Sequence, residues 1–194
     1  MMQAAETIRR FWLEETGPKG WYAGGDALDA DIRDRFRTTW EAARAGGLTQ
    51  WTTCAEGTLA YLILTDQFPR NMFRGEARAF ATDARALAAA KRAVAAGQDL
   101  EIEGDARQFF YLPLEHSEHG PDQHRAVRLI AGRMDAPETL RHARAHREVI
   151  RRHGRFPYRN EALGRASTDA EREMIAAGGY GAVIRSFPAA AQAA

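Results

Sequence analysis

Apolar residues return every three or four positions through most of this chain, and that spacing constrains its fold more than any other feature. Ile8, Phe11 and Trp12 form one such set, and Ile32, Phe36 and Trp40 form another. At about 3.6 residues per turn, each set falls on one side of a helix. Runs that alternate at the strand period are few, so the spacing predicts an all-α protein. Helices are expected over about residues 6–15, 28–45, 49–67, 76–96, 121–134 and 137–153, with short turns near 106–111 and 113–119. A last helix follows Ser167-Thr168-Asp169 and ends near Gly178-Gly179. Gly17-Pro18, Gly46-Gly47 and Gly97 supply stops. The segment over 49–67, with Trp51, Cys54, Leu59, Leu62 and Ile63, is apolar enough to lie centrally. Thr82-Asp83 is placed to recap the helix after it.

Many short helices joined by Pro and Gly turns suit stacked helical hairpins better than one four-helix bundle. The expected architecture is a tetratricopeptide-like right-handed superhelix with degenerate repeats, since no clear repeat of about 34 residues is present. A chain of 194 residues, 45% hydrophobic, supports one well-buried core. A single domain over 1–187 is expected, followed by a loose Ala-rich tail over 188–194. No apolar run approaches the roughly 20 residues that span a bilayer, and the first residues lack a secretory signal, so a soluble cytoplasmic protein is expected. One cysteine, Cys54, excludes an internal disulfide and a multi-thiolate metal site. Its place in a helical pattern predicts buried packing. Neither a metal nor a cofactor is expected. The net charge of +1 lacks the field that marks nucleic-acid binding. The arginine-rich stretch over 141–159 reads as a solvated helix face.

One segment occurs twice. Asp66-Gln67-Phe68-Pro69-Arg70-Asn71-Met72-Phe73-Arg74-Gly75 is echoed by Gly154-Arg155-Phe156-Pro157-Tyr158-Arg159-Asn160, which leads on to Gly164-Arg165. Each Pro is expected to end the preceding helix, because it cannot donate the helical hydrogen bond and pushes the residue before it to extended geometry. Each Asn is then placed to start the next helix by accepting a backbone N–H. Arg70, Arg74, Arg159 and Arg165 would form an anion-recognising site if the two junctions met in space. Alternatively they pair with Asp66, Glu115 and Glu118 and clamp helices together.

Two further clusters carry chemistry. Over 111–124, Glu115 shares a helical face with Glu118 and His119, and His116 lies beside them. Carboxylate with imidazole serves acid–base catalysis and oxygen/nitrogen metal sites, yet no named metal motif is present. In the third cluster, His142 and His146 stand four apart, with His153 beyond them. His146 falls on the stripe of Leu140, Ala143 and Ile150, so it is expected to be a structural histidine bonded to a buried carboxylate, with Asp66, Glu115 and Glu118 the candidate partners.

These segments together resemble the bacterial family of domains of unknown function numbered 924, from about residue 20 to 180. The resemblance rests on residues 64–75 with Ala79-Phe80-Ala81 and Asp83, on 110–118 with Asp122-Gln123, and on His146 and 154–168. It implies a tetratricopeptide-type helical superhelix and supplies no activity. It carries polar positions onto Asp66, Gln67, Arg70, Asn71, Arg74, Glu115, His116, Glu118, Gln123, His146, Arg155, Arg159, Asn160 and Arg165. His142 and His153 stand outside that pattern, and Tyr158 replaces an expected His.

The function expected first is binding of an anionic small molecule or peptide group in a cavity lined by Arg, Glu and His, through Asp66, Gln67, Arg70, Asn71, Arg74, Arg155, Arg159 and Asn160. An enzyme with hydrolase-like acid–base chemistry is the alternative, its catalytic candidates being Glu115, His116, Glu118 and His146. A protein–protein scaffold is the third. Whether any reaction is catalysed is left open by the residues.

Overall fold

The computed structural model describes residues 2–189. The described residues contain helices and turns and no strand. The helices are α1 (Met2–Arg10), α2 (Gly17–Trp21), α3 (Asp26–Arg44), α4 (Ala55–Leu62), α5 (Phe68–Met72), α6 (Asp83–Ala96), α7 (Leu112–Glu115), α8 (Gly120–Arg133), α9 (Pro137–His153), α10 (Asp169–Ala176) and α11 (Gly179–Arg185). None is long and apolar enough to cross a membrane. The chain divides into two compact units, the first ending at Pro113 and the second beginning at Leu114.

In the first unit, α4 continues through a wider turn over Ile63–Gln67 into α5. Every residue from 57 to 69 is buried, so this is the central helix the apolar run over 49–67 predicts. Helices α1 and α6 pack on α4, and α3 packs on α5. Ile8, Phe11, Trp12, Ile32, Phe36 and Trp40 all point into this core. Phe68 lies at its middle, with ring centroids 5.9 Å from Phe11, 5.5 Å from Trp12 and 4.9 Å from Phe36. Cys54 departs from expectation. It is half-buried in extended backbone just before α4, because the chain first makes a separate tight turn over Thr49–Thr53.

The two Phe-Pro segments fold differently. In the first, Gln67 (φ −85°, ψ −55°) and Phe68 (φ −57°, ψ −38°) both stay helical, so Pro69 does not end the helix. The wider turn absorbs it: the Phe68 N–H bonds to the Ile63 carbonyl, five residues back. In the second, Gly154 (φ +70°) has already closed α9 in the left-handed region. Phe156 is extended (φ −91°, ψ 104°) as expected before a Pro, but Pro157 does not itself end α9 and instead opens a tight turn over Pro157–Arg159.

Thr82 does not cap α6 with its side chain. Its hydroxyl turns inward, donates to the Thr65 carbonyl at 2.6 Å and accepts from Trp40 Nε1 at 3.1 Å. The expected single helix over 76–96 is instead a tight turn over Ala77–Phe80 followed by α6.

In the second unit, α8 and α9 form a helical hairpin, and α11 packs against α9. The core there gathers Ala145, Val149, Ile150, Phe156 and Val183, with Met174, Tyr180, Ile184 and Phe187 against them. Thr168 and Glu171 start α10 with a reciprocal cap: each side chain accepts the other residue's backbone N–H. The sequence pattern stops at Gly178-Gly179, but α11 follows. Arg141 of α9 holds its C-terminal end by donating to the carbonyls of Ile184 (3.0 Å) and Phe187 (3.1 Å). Of the expected loose tail, Pro188 and Ala189 are exposed and irregular, and 190–194 lie outside the described residues.

Candidate acid–base site

Within the first unit, the arginines of the first Phe-Pro segment already grip carboxylates. Arg70 forks onto Asp83, with both contacts at 3.1 Å, and also reaches Asp66 Oδ1 at 3.5 Å. Gln67 Nε2 donates to the other Asp66 oxygen at 2.5 Å. Arg74 forks onto Asp29 at 2.9 and 3.1 Å, and Asn71 Nδ2 donates to the same carboxylate at 2.8 Å. Asn71 therefore ties α5 to α3 instead of starting a helix.

The second unit repeats the pattern with other partners. Arg155 forks onto the buried Glu171 at 2.6 and 2.7 Å and holds its carboxyl down to about 2. Asn160 Nδ2 donates to Ser167 and to that same carboxylate, so it too binds across the loop instead of capping. Arg165 forks onto Glu118 at 2.7 and 3.0 Å, while the Phe156 N–H donates to Glu118 at 2.8 Å. Burial alone would raise the Glu118 carboxyl. The Arg165 fork, the Phe156 N–H and the Arg159 charge outweigh it and keep the group below the usual range. Both Glu118 oxygens are engaged in pinning the Phe156-Pro157 loop. Arg159 lies over the Phe156 ring at 4.4 Å and donates to the His116 carbonyl at 3.1 Å.

Glu115 is placed differently. It closes α7 with its side chain only 2% exposed, and one oxygen accepts from His146 Nδ1 on α9. Here the sequence expectation of a histidine bonded to a buried carboxylate is borne out, with Glu115 as the partner. Gln123 of α8 fixes the backbone around it by donating to the Ser117 carbonyl at 2.6 Å. The ring nitrogen that meets Glu115 is Nδ1, which leaves Nε2 on the other side of the imidazole. The His146 side chain keeps 15% of its surface open. Its ring stacks on Tyr180 at 4.6 Å and meets the ring edges of Phe156 at 5.5 Å and His116 at 6.0 Å. One turn back along α9, His142 Nδ1 shares a hydrogen bond with the Tyr180 phenol oxygen at 2.7 Å. Burial lowers the basicity of His142, assisted by the nearby His146 and opposed mainly by Glu115. Among the described residues, no group of three His, Cys, Asp or Glu side chains is arranged to hold a metal ion.

A family model described as a bacterial protein of unknown function, DUF924, matches residues 8–179. The chain belongs to the DUF924 family. The DUF924 chain is also similar to the solved structure of a protein of unknown function, ATU0120, from Agrobacterium tumefaciens. The two are 40% identical, with 91% of this chain and 99% of that chain covered and a TM-score of 0.86. Comparison with curated proteins gives no match.

Of the residues around this DUF924 pair, Tyr180 was not foreseen. A signal existed: Tyr180, Val183, Ile184 and Phe187 repeat at helical spacing just after the glycine pair. Gly178 (φ +104°) and Gly179 (φ +57°) turn the chain and begin α11 instead of ending the fold.

Proposed function

We propose that the second unit carries an acid–base site of hydrolase-like type, with His146 as the proton carrier and Glu115 as its orienting carboxylate. The observation that supports it best is the bond from His146 Nδ1 to a carboxylate withdrawn from water. This arrangement fixes the ring, leaves Nε2 to exchange protons with a bound molecule, and stabilises the imidazolium that forms. His116 and Phe156 border the ring, and Arg159 holds both through the His116 carbonyl and the Phe156 face. An anion cavity built on Arg70, Arg74 and Arg155 draws less support, because each of these guanidinium groups already forks onto a carboxylate of its own unit. The tetratricopeptide-like stacking of hairpins belongs to the same proposal, and the α8–α9 hairpin is what supports it.

The test is hydrolysis of three chromogenic probes, p-nitrophenyl acetate, p-nitrophenyl phosphate and alanine p-nitroanilide. Wild type should turn over at least one faster than buffer, and His146→Gln should lose about a hundredfold or more with an unchanged thermal melt. Wild-type rates equal to buffer for all three would sink a hydrolytic site.

A further inference from the structure

Tyr180 is in ring contact with two imidazoles. His142 and His146 stand four apart on α9, so their rings project from the same helix face one turn apart. Tyr180, from α11, lies parallel to both. Its ring is 4.6 Å from His146 with a 20° tilt, and 5.9 Å from His142 with a 29° tilt. Stacking alone would be satisfied by phenylalanine. The phenol oxygen, however, meets His142 Nδ1 at 2.7 Å, within the range of a well-formed hydrogen bond. His142 keeps part of its surface in solvent while the surrounding protein desolvates the rest. Two hydrogen-bonded pairs, Glu115–His146 and Tyr180–His142, are thus joined by the ring contact of Tyr180 with His146.

The two pairs differ in what surrounds them. His146 has the Glu115 carboxylate on its Nδ1, where His142 has the Tyr180 phenol. His142 faces Tyr180 and His146, with Glu115, Glu138 and Arg141 as the nearby charges, and burial dominates that set in favour of the neutral ring. Neighbouring imidazoles with different hydrogen-bond partners can supply an acid and a base to one site.

We propose that Tyr180 is the second catalytic group of the site and His142 its positioning base. The proposal rests on the acid–base reading of His146. A bound molecule yields a proton to Tyr180 Oη as the phenol passes its own proton to His142 Nδ1. His146 Nε2–H returns a proton to another atom of that molecule. His142 then releases its extra proton to solvent, and His146 takes one up from solvent, so the protons balance over a cycle. The suitable substrate class is a molecule that loses a proton at one atom and gains one at another. Water attacking an ester or amide, with the leaving group protonated as it departs, meets that requirement.

Two measurements on the full chain test this. Long-range nitrogen–proton NMR of the histidine rings is recorded from about pH 5 to about pH 9, the range over which imidazole titrates. Wild type should show His142 with a bare, hydrogen-bonded Nδ1 and a protonated Nε2. Tyr180→Phe keeps the stack and should give mixed His142 tautomers and an upward shift of the His142 midpoint. A wild-type proton resident on Nδ1, or a His142 signal unmoved by Tyr180→Phe, overturns the proposal. In the probe assay, Tyr180→Phe should lose about tenfold or more with an unchanged melt, and His142→Asn should remove the acid limb of the pH profile. Wild-type turnover with both variants unaffected overturns the role of Tyr180 and leaves His146 standing. Absence of wild-type turnover overturns both.

Discussion

The hydroxyl of Thr82 donates to the carbonyl of Thr65 at 2.6 Å, and Thr65 is the residue whose helical partner would be Pro69. Pro69 has no N–H to offer, so a side chain from the start of another helix supplies the bond. Trp40 Nε1 donates in turn to the same hydroxyl, and the chain of bonds is fully buried. Thr82→Val keeps the shape and leaves both a buried carbonyl and a buried indole N–H without this partner. It should cost about 2 to 4 kcal/mol in urea unfolding, while Thr82→Ser should cost far less. Equal losses for the two variants would mean that the methyl group matters and the hydroxyl does not.

Arg70 is expected to act as a clamp on Asp83. Arg70→Gln and Asp83→Asn should each lower stability, and the double variant should fall short of the sum by about 1 kcal/mol. An inorganic anion that raises the melting temperature of wild type but not of Arg70→Gln would instead show this guanidinium serving a ligand.

Gly57 is set by a close approach. A Cβ there would lie 2.2 Å from the Trp51 carbonyl oxygen, a backbone atom that cannot swing aside. Gly57→Ala gains about 1 kcal/mol of helix propensity. It should nevertheless lose about 2 kcal/mol net by denaturant unfolding, because the tight turn over Thr49–Thr53 must shift. A stabilised variant would contradict that packing.

Acid should loosen the second unit through Glu171. Arg155 depresses its carboxyl from the ordinary 4.5 to about 2 in the folded protein. A lowered folded value stabilises fully above the ordinary one, and that contribution fades as pH falls from about 4.5 towards about 2. Glu171→Gln should therefore flatten the stability profile in that window. Glu148 is also held at about 2, by Arg151 and Arg152, but those arginines are exposed. Glu148→Gln should change the profile little at moderate salt. The two variants can be compared by urea unfolding at a series of pH values.

Helical spacing and Pro/Gly punctuation were enough to place most elements, and α9 was legible from Pro137 to His153 without adjustment. The start of α10 after Ser167-Thr168-Asp169 was equally legible, and the Thr168/Glu171 cap that fixes it joins partners three residues apart. The Phe-Pro rule failed at Pro69 and at Pro157 held only for the extended Phe156, though the two segments read alike. What separates them is a carbonyl partner 17 residues further along the chain in the first case and a left-handed Gly154 in the second. The helical stripe predicted a buried carboxylate for His146, three acids were candidates, and only the tertiary structure brought Glu115 to the ring.

The sequence by itself determined the all-helical class, the central apolar segment and the residue types that carry charge, because period and composition act over a few neighbouring positions. Tertiary structure alone decided which carboxylate each arginine and histidine meets. Those partners lie 13 to 47 residues apart for Arg70–Asp83 and Arg165–Glu118, and nothing local fixes such a distance. The same holds for Tyr180. Helical spacing could announce its helix, but its contact with two imidazoles exists only once α11 has packed on α9.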